Sequence, residues 1–141
     1  MKKLFILSFA VLISLFTSCS SDDNNSAEDL IGEWQFVTSK ENGIENNITT
    51  CDTAETITFT DNLVIQSYYT EDNNGDCIED GSDTDNYTAS GNELIIVLTD
   101  DNGNTDAETG KFSISGNTLT LTFTEDINGE TFTYISTFKK M

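Results

Sequence analysis

The chain has no histidine and no arginine, and it sets only six lysines against 25 acidic residues. Without histidine, Ser-His and Cys-His nucleophile systems and histidine-ligated metal centres are excluded. Without arginine, and with so few lysines, nucleic acid is excluded as a partner, because phosphate neutralisation needs a cluster of such cations. Carboxylates abound, yet the sequence places nearly all of them in turns, where nothing desolvates one or drives two pKa values apart. The expectation is a protein that is not an enzyme and uses no cofactor. Cysteine is scarce as well: Cys19, Cys51 and Cys77. One long apolar run exists, from Leu4 to Phe16.

That run follows Met1-Lys2-Lys3. A basic start and an apolar stretch too short to span a bilayer make the pattern of a secretory signal, here residues 1–18. It ends at Leu15-Phe16-Thr17-Ser18-Cys19, which resembles a bacterial lipobox. The resemblance implies cleavage before Cys19, acylation of its thiol, and a membrane reached through acyl chains that contribute about 0.8 kcal/mol per buried CH₂. Ser20-Ser21-Asp22-Asp23 resembles the acidic export tag of Bacteroidetes lipoproteins, which implies attachment to the outer membrane, facing the cell exterior. Residues 19–29 then read as lipidated cysteine and flexible acidic tether, and residues 30–141 as one domain with its own core. Loss of residues 1–18 removes two lysines and no acid, taking the net charge from −19 to −21. Such a surface stays soluble and is repelled by anionic head groups.

With Cys19 lipidated, Cys51 and Cys77 remain, an even pair in an exported chain, and they are expected to form a disulfide. Closing a loop of that length contributes about 3 kcal/mol in the chain-entropy account. A redox or metal pair needs histidine, a CxxC spacing or a basic neighbour to lower a thiol pKa, and the sequence supplies none of them.

From Leu30 onward the apolar residues alternate. "LIGEWQFVTS", "ETITFT", "LVIQSYY", "DNYTAS", "ELIIVLT", "ETGKFSIS", "TLTLTFT" and "ETFTYISTFKK" are β-branched and aromatic runs. Asp61-Asn62, Gly91-Asn92, Gly116-Asn117 and Asn128-Gly129 separate several of them, turn pairs that suit hairpins. The count is eight strands and no helix. "YTASGNELIIVL" and "FSISGNTLTLTF" repeat one strand–turn–strand unit at an offset of 25 residues. Side chains alternate between faces along a strand, and ten of the eleven aromatics after Cys19 share one phase, Tyr69 being the exception. One apolar and one wet face on such a meander predict an all-β, eight-stranded antiparallel up-and-down barrel, with a β-sandwich as the alternative.

"LIGEWQF" carries Gly32-x-Trp34, the opening of the first lipocalin strand. With "TITF", the "SGN-x-L" hairpins and the two cysteines, residues 30–141 resemble the lipocalin-like lipoproteins of Bacteroidetes. The resemblance implies a lipocalin-like barrel and a small apolar ligand. Lipocalins stack an arginine on that tryptophan; here Lys139 or Lys140 is the candidate cation over the ring. The C-terminal helix of lipocalins has no counterpart.

Three further stretches are candidates for chemistry. "EDNNGDCIEDGSDTDN", residues 71–86, holds seven acids, and Asp72, Asn74 and Asp76 have the alternate spacing of a calcium loop, although Cys77 stands where that loop needs glycine. Tyr68, Tyr87, Phe123 and Tyr134 are the candidate lining of a ligand cavity in the barrel. Asp52-Thr53-Ala54 resembles the O-glycosylation site of exported Bacteroidetes proteins, with Thr53 the acceptor. The expectations for the partner are two: a small apolar molecule inside the barrel, or a protein or glycan, with or without Ca²⁺, met by the acidic loops of a filled barrel.

Overall fold

The computed structural model describes residues 26–100 and 102–141. The signal segment, Cys19 and the acidic tag fall on residues 1–25, outside the described residues. Among the described residues nine strands follow one another: β1 (Gly32–Glu41), β2 (Ile44–Glu45), β3 (Thr56–Phe59), β4 (Leu63–Glu71), β5 (Cys77–Ser90), β6 (Glu93–Thr99), β7 (Thr105–Ser115), β8 (Thr118–Ile127) and β9 (Glu130–Lys140). All except the two-residue β2 build one antiparallel barrel in chain order. β9 pairs back onto β1 from Trp34↔Lys140 to Glu41↔Tyr134, and this pairing decides for a closed eight-stranded barrel over two stacked sheets.

The shared phase of the aromatics becomes the barrel interior. Trp34, Phe59, Tyr87, Leu94, Phe112, Leu119 and Phe138 are buried together. They gather at one end of the barrel, beside the turns at Asp61-Asn62, Gly91-Asn92 and Gly116-Asn117. That end is closed by a helix absent from the sequence-based expectation, α1 (Ala27–Leu30), which starts inside the stretch assigned to the tether. Four residues cannot hold a helix by propensity. This one is held at both ends. The Ser26 N–H and hydroxyl both donate to Asp29 Oδ2, at 2.8 and 2.9 Å, and Leu30 is fully buried, its carbonyl accepting from Trp34 Nε1 at 2.8 Å.

The opposite end is built differently. β3 supplies only four residues, pairing with β1 through Gly32–Gln35 and with β4 through Val64–Ser67. Beyond it, the wall between β1 and β4 is filled by residues 46–55, which include a turn of 3-10 helix at Asp52–Ala54, a second element the sequence did not suggest. Phe36 N–H donates to the Glu55 carbonyl and Gln35 Nε2 to the Thr53 carbonyl, tying this segment to β1. The Cys51–Cys77 disulfide ties it to the start of β5, and Cys51 is buried. The staple expected from cysteine arithmetic therefore closes a gap in the barrel wall.

β5 also corrects the reading of the acidic stretch. It begins at Cys77, eight residues before the predicted strand, so only residues 72–76 are loop. Asp and Gly are poor strand formers; pairing with β4 from Leu63↔Asn86 to Glu71↔Cys77 overrides that preference, with one bulge opposite Tyr68 and Tyr69.

Candidate functional site

Inward positions on a barrel strand recur every second residue, whatever residue occupies them. Towards the open end these positions turn polar. A cavity of about 160 Å³ lies there. Its apolar floor is Ile57, Val64, Ile96, Leu121 and Phe123, and above it Leu98 shares the wall with Gln66, Asp83, Asp85, Glu108 and Ser136. Below it the aromatic core fills the barrel.

The wall is not continuous around this cavity. β7 and β8 pair only from Ser115↔Thr118 to Gly110↔Phe123. Beyond that point β7 pairs with β6 alone and β8 with β9 alone. A cleft of about 230 Å³ occupies the split and shares Glu108 and Phe123 with the cavity. Gly110 is the last β7 residue paired with β8, opposite Phe123. An added Cβ there meets the Phe123 ring at 2.6 Å and the Thr122 carbonyl at 2.8 Å, so only glycine lets the ring lie against the backbone.

The carboxylates of the open end perturb one another. Burial pushes the Glu108 pKa up, and the charges of Glu125, Asp106 and Asp85 add to the rise. Burial likewise raises Glu55, with Asp52 contributing. Tyr68 is pushed up to about 12, first by burial, then by its hydrogen bond to Asp83 and the charges of Asp83, Glu55 and Asp85. Glu55 and Glu108 are thus exceptions to the expectation that nothing desolvates the acids. Among the described residues no lysine neutralises them: the one ion pair joins Lys40 to Glu45 at 3.1 Å, and Lys140 is engaged at the closed end.

Of the four candidate lining residues, the structure places one at this cavity. Phe123 lines the cavity. Tyr87 lies in the closed-end core instead, packed edge-on against Phe59 with its hydroxyl donating to the Thr60 carbonyl at 2.6 Å. Tyr68 is half-buried beside Asp83, and Tyr134 is half-buried opposite Phe123 and Glu41, both outside the cavity wall. Gln66, Asp83, Asp85, Glu108 and Ser136 are polar, so a search for apolar inward residues passes over them. Their signal was the phase: Gln66 sits between Val64 and Tyr68, Asp83 and Asp85 precede Tyr87 by four and two, and Glu108 precedes Phe112 by four.

Asp72, Asn74 and Asp76 form a tight loop whose centre is the Asp72 carboxylate. Its Oδ1 accepts from the N–H groups of Asn74 and Asp76, at 2.8 and 2.9 Å, and Oδ2 accepts from Asn74 Nδ2 at 3.1 Å. Asp100 organises its own loop in the same way, accepting from the N–H groups of Asn102 and Asn104. The spacing that resembled a calcium loop thus serves two hairpin turns. Among the described residues no group of three or more acids or cysteines is placed to hold a metal ion. Thr53 is exposed, and its hydroxyl donates to the Thr50 carbonyl at 2.7 Å.

Gly32 and Trp34 hold the closed end. Gly32 has φ +128°, and the Lys140 side chain passes where its Cβ would be, at 3.1 Å. Trp34 is fully buried with the Lys140 ammonium 4.4 Å from its ring centroid, so Lys140 is the cation over the ring.

A closed eight-stranded barrel opened by Gly-x-Trp, plugged at that end and hollow at the other, defines a lipocalin-type protein. The lipocalin-like domain family matches residues 30–109, more than half of the chain, and the chain belongs to that family. Two solved structures share the fold. A lipocalin-like protein from Bacteroides uniformis ATCC 8492 has 20% identity and a TM-score of 0.52, over 80% of this chain and 99% of that one. An uncharacterized protein from Bacteroides eggerthii DSM 20697 has 17% identity and a TM-score of 0.51, over 80% of this chain and all of the other. No curated protein gives a significant sequence match.

Proposed function

We propose that this chain is a non-enzymatic lipoprotein, acylated at Cys19, held on the outer membrane facing the cell exterior, whose barrel carries one small molecule at its open end. The observation that carries the reading is the cavity of about 160 Å³ with its apolar floor, open at the end opposite α1. A space of about 150 Å³ suffices for one benzene-sized group, which sets the scale of the cargo. The experiment is native mass spectrometry of protein extracted from its own membrane, followed by organic extraction. A stoichiometric compound of low mass supports the reading, and an empty barrel counts against it. Cys19→Ala should move the protein to the soluble fraction or stall it unprocessed; a variant that still fractionates with the outer membrane refutes the anchor.

A second reading is a surface module whose acidic loops meet a protein or glycan. The filled lower half of the barrel favours it, since sites for drug-sized ligands run from about 300 Å³ upward. Pull-down of a defined surface partner by protein with an empty barrel is its test.

A further inference from the structure

Resting on the carrier reading, we infer that the cavity selects small organic cations: amines whose apolar body, about one ring in size, sits on the Ile57–Ile96–Leu121–Phe123 floor while the ammonium lies against Asp85 and Glu108. The cavity joins two chemistries that a purely apolar cargo leaves unused. Its floor is aliphatic and aromatic, whereas Asp83, Asp85 and Glu108 form one wall. Asp85 and Glu108 are partly buried and Asp83 is exposed, and among the described residues no lysine lies beside them to balance their charge. Lys40 is paired with Glu45 and Lys140 lies over Trp34 at the far end. Lys111 and Lys139 alternate with the inward Phe112 and Phe138, so they lie on the outer face.

A second tier of acids deepens the potential. Glu41 pairs with Tyr134 across the β1–β9 seam, and Asp106 and Glu125 continue the inward phases of β7 and β8 beside Glu108. A cleft lined by one sign of charge with low-dielectric walls focuses its field and concentrates counter-ions. The geometry also distinguishes the kind of cation. A metal ion needs several oxygens converging within about 2.6 Å of one point, and no such convergence exists among the described residues. Carboxylates on one side of a cavity with an apolar floor suit a cation that carries its own apolar body.

The test is calorimetric titration of the purified full chain with three probes of one shape: 2-phenylethylamine, 2-phenylethanol and phenylacetate. The expected order is amine tighter than alcohol by at least ten-fold, with the acid weakest. The double variant Asp85→Asn, Glu108→Gln should bring the amine-to-alcohol ratio towards one, and a thermal melt reports that it folds. If amine and alcohol bind equally to the wild type, cation selection is wrong while the carrier reading stands. If none of the three binds, both fall for cargo of this size. Retention of the ratio by the folded double variant would also overturn the inference.

Discussion

Lys140 holds its ammonium 4.4 Å from the centroid of the Trp34 ring while donating a 2.9 Å hydrogen bond to the Ile31 carbonyl. One side chain from the last strand thus clamps the first, and the pairing Trp34↔Lys140 marks where the barrel closes. Its stem also occupies the space left by the missing Cβ of Gly32. Gly32, Trp34 and Lys140 are therefore one unit, and the lysine does the work expected of arginine.

Lys140→Ala should cost about 1–2 kcal/mol, combining a cation–π contact with a charged hydrogen bond. Lys140→Arg should retain most of that stability, because a guanidinium stacks on an indole at least as well. Urea unfolding followed by Trp34 fluorescence checks both, and equal losses in the two variants would show that shape matters here and charge does not.

Gly110→Ala should destabilise the barrel by about 1–3 kcal/mol, the usual range for a side chain forced into a packed site. The new methyl meets both the Phe123 ring and the Thr122 carbonyl. Adding Phe123→Leu relieves only the first clash, so the double variant should recover part of the loss. Full recovery in a double-mutant cycle would contradict the role given to the backbone contact.

Removing the staple with Cys51→Ser and Cys77→Ser should lower stability by about 3 kcal/mol. Because the disulfide ties residues 46–55 to β5, hydrogen exchange should speed up there before it does in β7, β8 and β9. Peptide mapping of the non-reduced wild type should yield one linked pair and no alkylatable thiol at either position.

Glu108 gives a pH signature. Its folded pKa is raised by burial and by Glu125, Asp106 and Asp85, so the folded state binds the proton more tightly than the unfolded chain. Stability from this group is then greatest below the ordinary glutamate range and is lost as pH rises through the raised value. Glu108→Gln should raise the melting temperature at pH 7 and change it little at pH 4. Asp72 and Asp100 act in the opposite sense, since hydrogen bonds from their own loops lower both pKa values. Their contribution is present at neutral pH and fades as pH falls, so Asp72→Ala should harm the protein more at pH 7 than at pH 3.

Much of this molecule is local chemistry and could be read from the chain. Alternation in runs such as "TLTLTFT" and positive-φ pairs such as Asn128-Gly129 specify strands and hairpins from neighbouring residues alone, and the parity of the cysteines specifies the staple. Between bulges the same alternation assigns the inward side chains, Asp85 and Glu108 as much as Phe112. It does not say how high along the barrel each one lies, because that depends on the stagger between strands, and the stagger is fixed only when β9 meets β1. The closure puts Tyr87 in the plugged end and Phe123 at the cavity floor, although the sequence gives the two the same pattern. It brings Asp85 of β5 and Glu108 of β7 to one wall across 23 residues of chain, parts β7 from β8 above Gly110, and makes a one-turn helix at Ala27–Leu30 stable by giving Leu30 a core to enter. Burial is a property of what arrives from elsewhere in the chain, and no local pattern carries it.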